Sequence, residues 1–162
     1  MPEHLRPIQS SLTLELAGRI IDAALAARRK EGLLPLVVAV LDAGGHLVAY
    51  KREDGSGLLR FDIAFGKAWA ALGMGMSTRL IRDRLAQRPA FQGALASVSD
   101  GRFVPVPGGV LILDAQGGAI GAVGISGDAS DKDEYCAVEG IHAAGFTSEP
   151  AAPAPEWRAA GL

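Results

Sequence analysis

At 162 residues, 49% of them apolar and 21% charged, the chain suits one compact domain with a core of ordinary size. A formal charge of −2 argues against a broad electrostatic footprint for nucleic acid, and no stretch approaches the roughly 20 uninterrupted apolar residues that span a bilayer. The single Cys136 rules out an intrachain disulfide and a thiolate cluster, which fits a reducing cytoplasm, and Met1–Ser11 sets Pro2, Glu3, His4, Arg6 and Pro7 ahead of any hydrophobic run, so a cytoplasmic protein without a secretory signal is expected.

Thr13 is placed to cap a first helix, with Glu15 near its positive end and Leu16, Ile20, Ile21, Ala24 and Ala27 forming an apolar stripe that Gly32 brings to a stop. The valine-rich run Leu36–Leu41, the turn Asp42-Ala43-Gly44-Gly45 and the return His46–Lys51 read as a hairpin. Phe61, Ala64, Phe65, Ala68, Trp69 and Leu72 share one side of a helix and are expected in the core, with Lys67 flanking the stripe. Gly73-Met74-Gly75-Met76 interrupts this helix, and Ser77 caps another that carries Leu80, Ile81 and Leu85 and ends before Pro89. Arg79, Arg82, Arg84 and Arg88 read as its solvated face, and Phe91–Leu95 as a short helical turn.

The phrase Leu41-Asp42-Ala43 with Gly44-Gly45 returns as Leu113-Asp114-Ala115 with Gln116-Gly117-Gly118, so a second hairpin is expected, and Val38, Val40, Leu111, Leu113 and Val123 join the core list. Two strand-turn-strand-helix units build one antiparallel sheet whose faces helices must cover. A last helix starts after Ser130 as N-cap and runs to about Ala144, with Gly145 ending it, and the Ala/Pro-rich stretch from Glu149 is expected to be a mobile or extended arm.

Chemistry-bearing residues gather in the second half. The spacing of Gly121, Gly124 and Gly127 is GxxGxxG without a parallel βαβ unit, so it is not a dinucleotide fingerprint. It reads either as a strand packed closely on a helix or as the floor of a pocket rimmed by Pro105–Gly109, whose backbone N–H groups receive a carboxylate. Asp133 shares a helix face with Cys136, Ala137, Gly140 and Ala144, and either completes a capping box with Ser130 or orients a substrate and accepts its proton. Glu134 lies one position further round, and Asp131 compensates the first-turn dipole. Lys67 is either a snorkelling surface lysine or the cation for a ligand carboxylate or Asp133. His4, His46 and His142 read as surface histidines, C-x-x-C-H is absent, and no metal-ligand set is assigned. G-x-S-x-G, H-E-x-x-H and the P-loop are absent as well, which removes hydrolase and ATPase readings.

Val104–Gly109 (VPVPGG), Gly121–Gly127 (GAVGISG) and Asp131–Ala137 (DKDEYCA), preceded by Gly45–Gly57 (GHLVAYKREDGSG) and Ala64–Ala71 (AFGKAWAA), occur in an order that resembles the GlcG/HbpS family. This is the haem-degrading domain family, which also supplies the C-terminal domain of PduO-type proteins. The resemblance spans about Leu12–Phe146, leaving residues 1–11 as an N-terminal extension and 147–162 as a tail. It implies an α/β (α+β) architecture, a profilin-like α/β/α sandwich around a central antiparallel sheet of about five strands, assembled as a homo-oligomer. It further implies a small-molecule ligand, haem or a related tetrapyrrole held non-covalently for sequestration or degradation, with neither nucleic acid nor membrane as partner. The alternative is a cofactor-independent isomerase, hydratase or lyase, or an accessory protein, acting on a small oxygenated carboxylate. On either reading Asp133, Glu134 and Lys67 are the candidate catalytic residues, and Pro107, Gly108, Gly109, Gly124, Ser126 and Gly127 the candidate ligand contacts. They are expected to converge, within one chain or across a subunit boundary.

Overall fold

The computed structural model describes residues 2–162; Met1, the first residue of the expected N-terminal extension, lies outside them. Helix α1 (Leu14–Glu31) begins where the Thr13 side chain accepts from Leu16 N–H and ends at Gly32 in the left-handed conformation. Strands β1 (Val37–Asp42) and β2 (Leu47–Arg52) form the first hairpin, followed by α2 (Arg60–Met74), α3 (Thr78–Leu85) and α4 (Pro89–Val98). The second hairpin is β3 (Gly109–Leu113) and β4 (Ala119–Ser126), and α5 (Ser130–Ala143), β5 (Thr147–Glu149) and a 3-10 turn (Trp157–Ala159) complete the chain.

The five strands lie in the order β2-β1-β4-β3-β5, every neighbouring pair antiparallel. Strand periodicity divides the core between two faces. Val38 and Val40 of β1, Val110 and Ile112 of β3 and Val123 and Ile125 of β4 point into the layer of α1 and α5, among Ile20, Ile21, Cys136 and Ile141. The alternate residues Val37, Ala39, Leu41, Leu111 and Ala122 meet α2. Both faces being covered, β1 reads as an unbroken apolar run rather than an alternating one. The antiparallel sheet between helical layers is the one the two hairpins predict, and its five strands in an α/β/α sandwich are what the family resemblance implies.

Several local expectations change. Val38, Val40, Leu111 and Val123 are buried, whereas Phe65, Trp69, Leu72 and Leu113 are half-buried and ring a small cluster instead of filling it. The reason is that α2 meets the sheet through Ala64, Ala68 and Ala71, which bring the backbones close and push the large rings to the flanks. Ser130 is the first residue of α5, not its cap; Ala129 holds that position and no side chain caps it. The helical turn after Pro89 extends to ten residues. The tail is docked, not mobile. Thr147–Glu149 adds the fifth strand, and Trp157 is buried against Tyr135, rings stacked with centroids 3.8 Å apart. One tryptophan supplies the apolar area that an Ala/Pro composition hides.

Candidate functional site

Close helix-sheet packing places Lys67 inside the domain. A methyl group on Gly124 would collide with the Ala64 carbonyl, and one on Gly109 with the Lys67 carbonyl, so α2 rests directly on β4 and β3 only because these positions are glycine. Lys67 is 2% exposed. Its ammonium donates to the Ile125 carbonyl at 2.8 Å and to Asp133 Oδ2 at 3.0 Å. Gly108, at φ +117°, passes so close that a Cβ there would lie 2.9 Å from Lys67 Nζ.

Asp133 is 1% exposed, and its other oxygen accepts from the Asp128 backbone N–H at 3.0 Å, tying the start of α5 to the loop that leaves β4. Asp128 in turn accepts from Leu34 N–H at 2.9 Å and Ala129 N–H at 2.7 Å, so the same loop is stitched to the end of α1. Burial raises Asp133 to a pKa of about 6, against the pull of Lys67, the Asp128 N–H and Arg60. Burial likewise lowers Lys67, and Asp133 opposes that shift. Arg60 donates to the buried Ser126 hydroxyl at 3.3 Å, which sets a second cation beside the pair.

Glu134 belongs to a different cluster. It is fully buried, faces α3 and the tail, and has Arg79 Nη1 at 3.3 Å from Oε1. Neither carboxylate oxygen makes a well-formed hydrogen bond. Burial pushes its pKa up to about 7, eased by Arg79 and the Ala154 N–H and aggravated by Asp131. Arg79 also donates to the Ala152 carbonyl at 3.0 Å, and Ser77 donates through its backbone N–H and hydroxyl to Glu149, so this cluster is the clasp of the tail.

The predicted trio therefore divides: Lys67 and Asp133 meet, while Glu134 turns to Arg79. The predicted contacts Pro107, Gly108, Gly109, Gly124, Ser126 and Gly127 are all buried; Gly108 and Gly109 lie against Lys67, Gly124 against Ala64 and Ala68, Ser126 against Arg60, and Gly127 against Pro35 and Leu36. The Gly109 N–H is already engaged, donating to Thr78 Oγ1 at 2.8 Å. The capping box with Ser130 does not form, since Asp133 reaches instead to Asp128 and Lys67. Arg79, read as one of a solvated row, is the partner the sequence reading missed, and Arg82 of the same row reaches Asp131 at 3.7 Å, so two of these arginines face acids of α5. Burial pushes the Cys136 thiol up, so it behaves as a core residue.

A sequence profile of the family described as haem degrading protein HbpS-like matches residues 12–142. An uncharacterized 15.0 kDa protein from the dhaT-dhaS intergenic region of Citrobacter freundii is 30% identical over 128 residues, which cover 79% of this chain and 88% of that protein. The corrinoid adenosyltransferase PduO of Citrobacter freundii is 28% identical over 137 residues, 80% of this chain but 40% of that enzyme. Among solved structures, a PduOC–haem complex superposes with a TM-score of 0.76 at 27% identity, covering 85% of this chain and 98% of that one. A double mutant of Streptomyces reticuli HbpS superposes with a TM-score of 0.70 at 30% identity, covering 88% and 92%.

Proposed function

The chain belongs to the HbpS-like family, and on that premise we propose that it binds haem or a related tetrapyrrole non-covalently, as a homo-oligomer that sequesters the ligand or assists its degradation. The observation that carries the reading is the likeness to a PduOC–haem complex over 85% of the chain. The side chains suit such a ligand. Arginines lie over aromatic rings at the surface, Arg102 over Trp69 and Arg88 over Phe91, which offers cations for propionates beside apolar faces for a macrocycle. Bound haem would supply the redox and oxygen chemistry; the residues of this chain bind it, orient it and shield it from water. Titration of the purified protein with haemin tests the reading. A saturable Soret change at one haem per protomer supports it, and a spectrum identical to that of free haemin overturns it.

One observation favours a second reading: two buried carboxylates, Asp133 and Glu134, titrate near neutrality, the range a general acid or base needs. Here Asp133 moves a proton on a small oxygenated carboxylate, Lys67 holds the developing negative charge, Glu134 is a second proton reservoir, and Pro107, Gly108, Gly109, Gly124, Ser126 and Gly127 wall the reacting group. Because Lys67 and Asp133 are closed off from solvent, substrate entry requires the loop before β3 to open. Asp133→Asn should then abolish turnover per folded molecule, the folded fraction being read from its melting curve; turnover equal to wild type removes this reading.

A further inference from the structure

We propose that α4 is a contact between two copies of this chain, each α4 lying antiparallel on the α4 of a second copy across a twofold axis near Ala94, an inference that rests on the homo-oligomer reading above. Helix α4 has the sequence PAFQGALASV, without one charged residue, and buries none of its residues. Only its Leu95 reaches the apolar cluster beneath it, while Phe91 and Val98 stand exposed. A surface helix ordinarily turns a charged face to water. Depletion of charge around exposed aromatic and aliphatic residues is instead the composition of an interface core.

Gly93 has no role within its own chain. Glycine weakens a helix interior, and elsewhere in this molecule it stands where a side chain would collide with a neighbouring backbone. At Gly93 an added Cβ would meet nothing within 4 Å, and the residue is not in the left-handed region. Absence of a side chain at mid-helix does serve the close approach of a second backbone. Beside it, Ala90, Ala94 and Ser97 are exposed and small enough to admit the same neighbour.

Charge at the two ends identifies that neighbour as another α4. Arg88 is the N-cap of the helix, and Asp100 follows the C-cap Ser99. A helix carries partial positive charge at its N-terminus and partial negative charge at its C-terminus, so each residue lies beside the partial charge of its own sign. Neither has an ion-pair partner among the described residues. An antiparallel second copy reverses both mismatches. Arg88 then meets the C-terminal end and Asp100 of the partner, and twofold symmetry repeats the pair at the other end. Ala94 stands midway between the two charges in sequence, which sets the crossing point beside Gly93. Of the two arginines that lie over rings, Arg88 belongs to this contact, whereas Arg102 donates to the Ser99 carbonyl at 3.0 Å and stays over Trp69 of its own chain.

Sedimentation equilibrium at low ionic strength tests the contact on wild type, Arg88→Glu, Asp100→Lys and an equimolar mixture of the two variants. Wild type should assemble at micromolar concentration. Each variant alone turns two attractions into two repulsions and should raise the dissociation constant by about tenfold or more. In the mixture the introduced glutamate faces the introduced lysine while native Arg88 faces native Asp100, so association should return close to the wild-type value. Asp100 stands at φ +54°, a conformation asparagine also accepts, so Asp100→Asn removes the charge without backbone strain and should weaken association by a smaller factor. Unchanged circular dichroism spectra establish that the variants fold. If wild type assembles and the variants dissociate no more readily, or if the mixture dissociates like its components, the α4 contact is wrong while homo-oligomerisation stands. If wild type is a monomer throughout, both fall.

Discussion

Lys67 and Asp133 are each nearly inaccessible, and each is the other's main compensation for lost hydration. Removing one partner of such a pair typically costs about 3–5 kcal/mol, because the survivor is left buried and uncompensated. Lys67→Met should therefore lower stability by an amount of that order in urea denaturation, and Lys67→Met combined with Asp133→Asn, which removes the orphaned charge but keeps an acceptor for Asp128 N–H, should recover much of it. A double variant as unstable as the single one would mean that the two charges are not coupled. Glu134 gives a pH dependence of definite sign. The folded protein holds its proton up to about pH 7, whereas the unfolded chain releases it near 4.5, so stability falls as pH rises between those values. Asp133 adds in the same direction between 3.8 and about 6. Lowered Asp42 and Asp128 act only below the ordinary carboxylate range, and lowered Lys67 acts with the opposite sign toward 10.5. The melting temperature should thus be higher at pH 5 than at pH 8, and Glu134→Gln should flatten the difference. An unchanged slope in that variant would show that Glu134 does not titrate in this window.

Elements were legible in the sequence wherever their periodicity and stop signals agreed. Thr13 and Gly32 bracket α1, Ser77 caps α3, and the DAGG and DAQGG turns mark both hairpins as antiparallel neighbours. What stayed hidden depends on contacts between segments far apart in sequence. The docking of the tail rests on Trp157 meeting Tyr135 and Glu149 meeting Ser77, and nothing local in an Ala/Pro stretch announces either. The site was half legible for the same reason: Lys67 and Asp133 were picked by residue type, but which acid the lysine meets depends on how α5 is set against α2, and the preference of Glu134 for Arg79 depends on α3. The glycines Gly121, Gly124 and Gly127 were open to both a packing and a pocket reading, and their close approach to the carbonyls of Leu41, Ala64 and Pro35 respectively supports packing. Docking of the tail is testable on its own. Trp157→Ala should cost about 3 kcal/mol, as large-to-small changes at buried aromatic positions do. A loss below about 0.5 kcal/mol, the scale of a surface substitution, would mean that the tail contributes nothing to the fold.

At the scale of the whole molecule, one sheet edge and its surroundings are left open. Strand β2 lies at one border of the sheet and carries the exposed Tyr50, while Leu58 and Leu59, in the segment between β2 and α2, stand 89% and 66% exposed. Edge strands and exposed apolar residues of this kind are commonly covered by another chain. Light scattering at micromolar concentration should report a mass above that of one chain, and a monodisperse monomer would refute the assembly. No helix among the described residues is long and apolar enough to cross a membrane. On the reading proposed above, this HbpS-like chain binds a tetrapyrrole. Amide hydrogen exchange with and without saturating haemin tests it most directly. Protection of one contiguous set of segments by haemin is the expected result. Unchanged exchange everywhere at saturating haemin would contradict it.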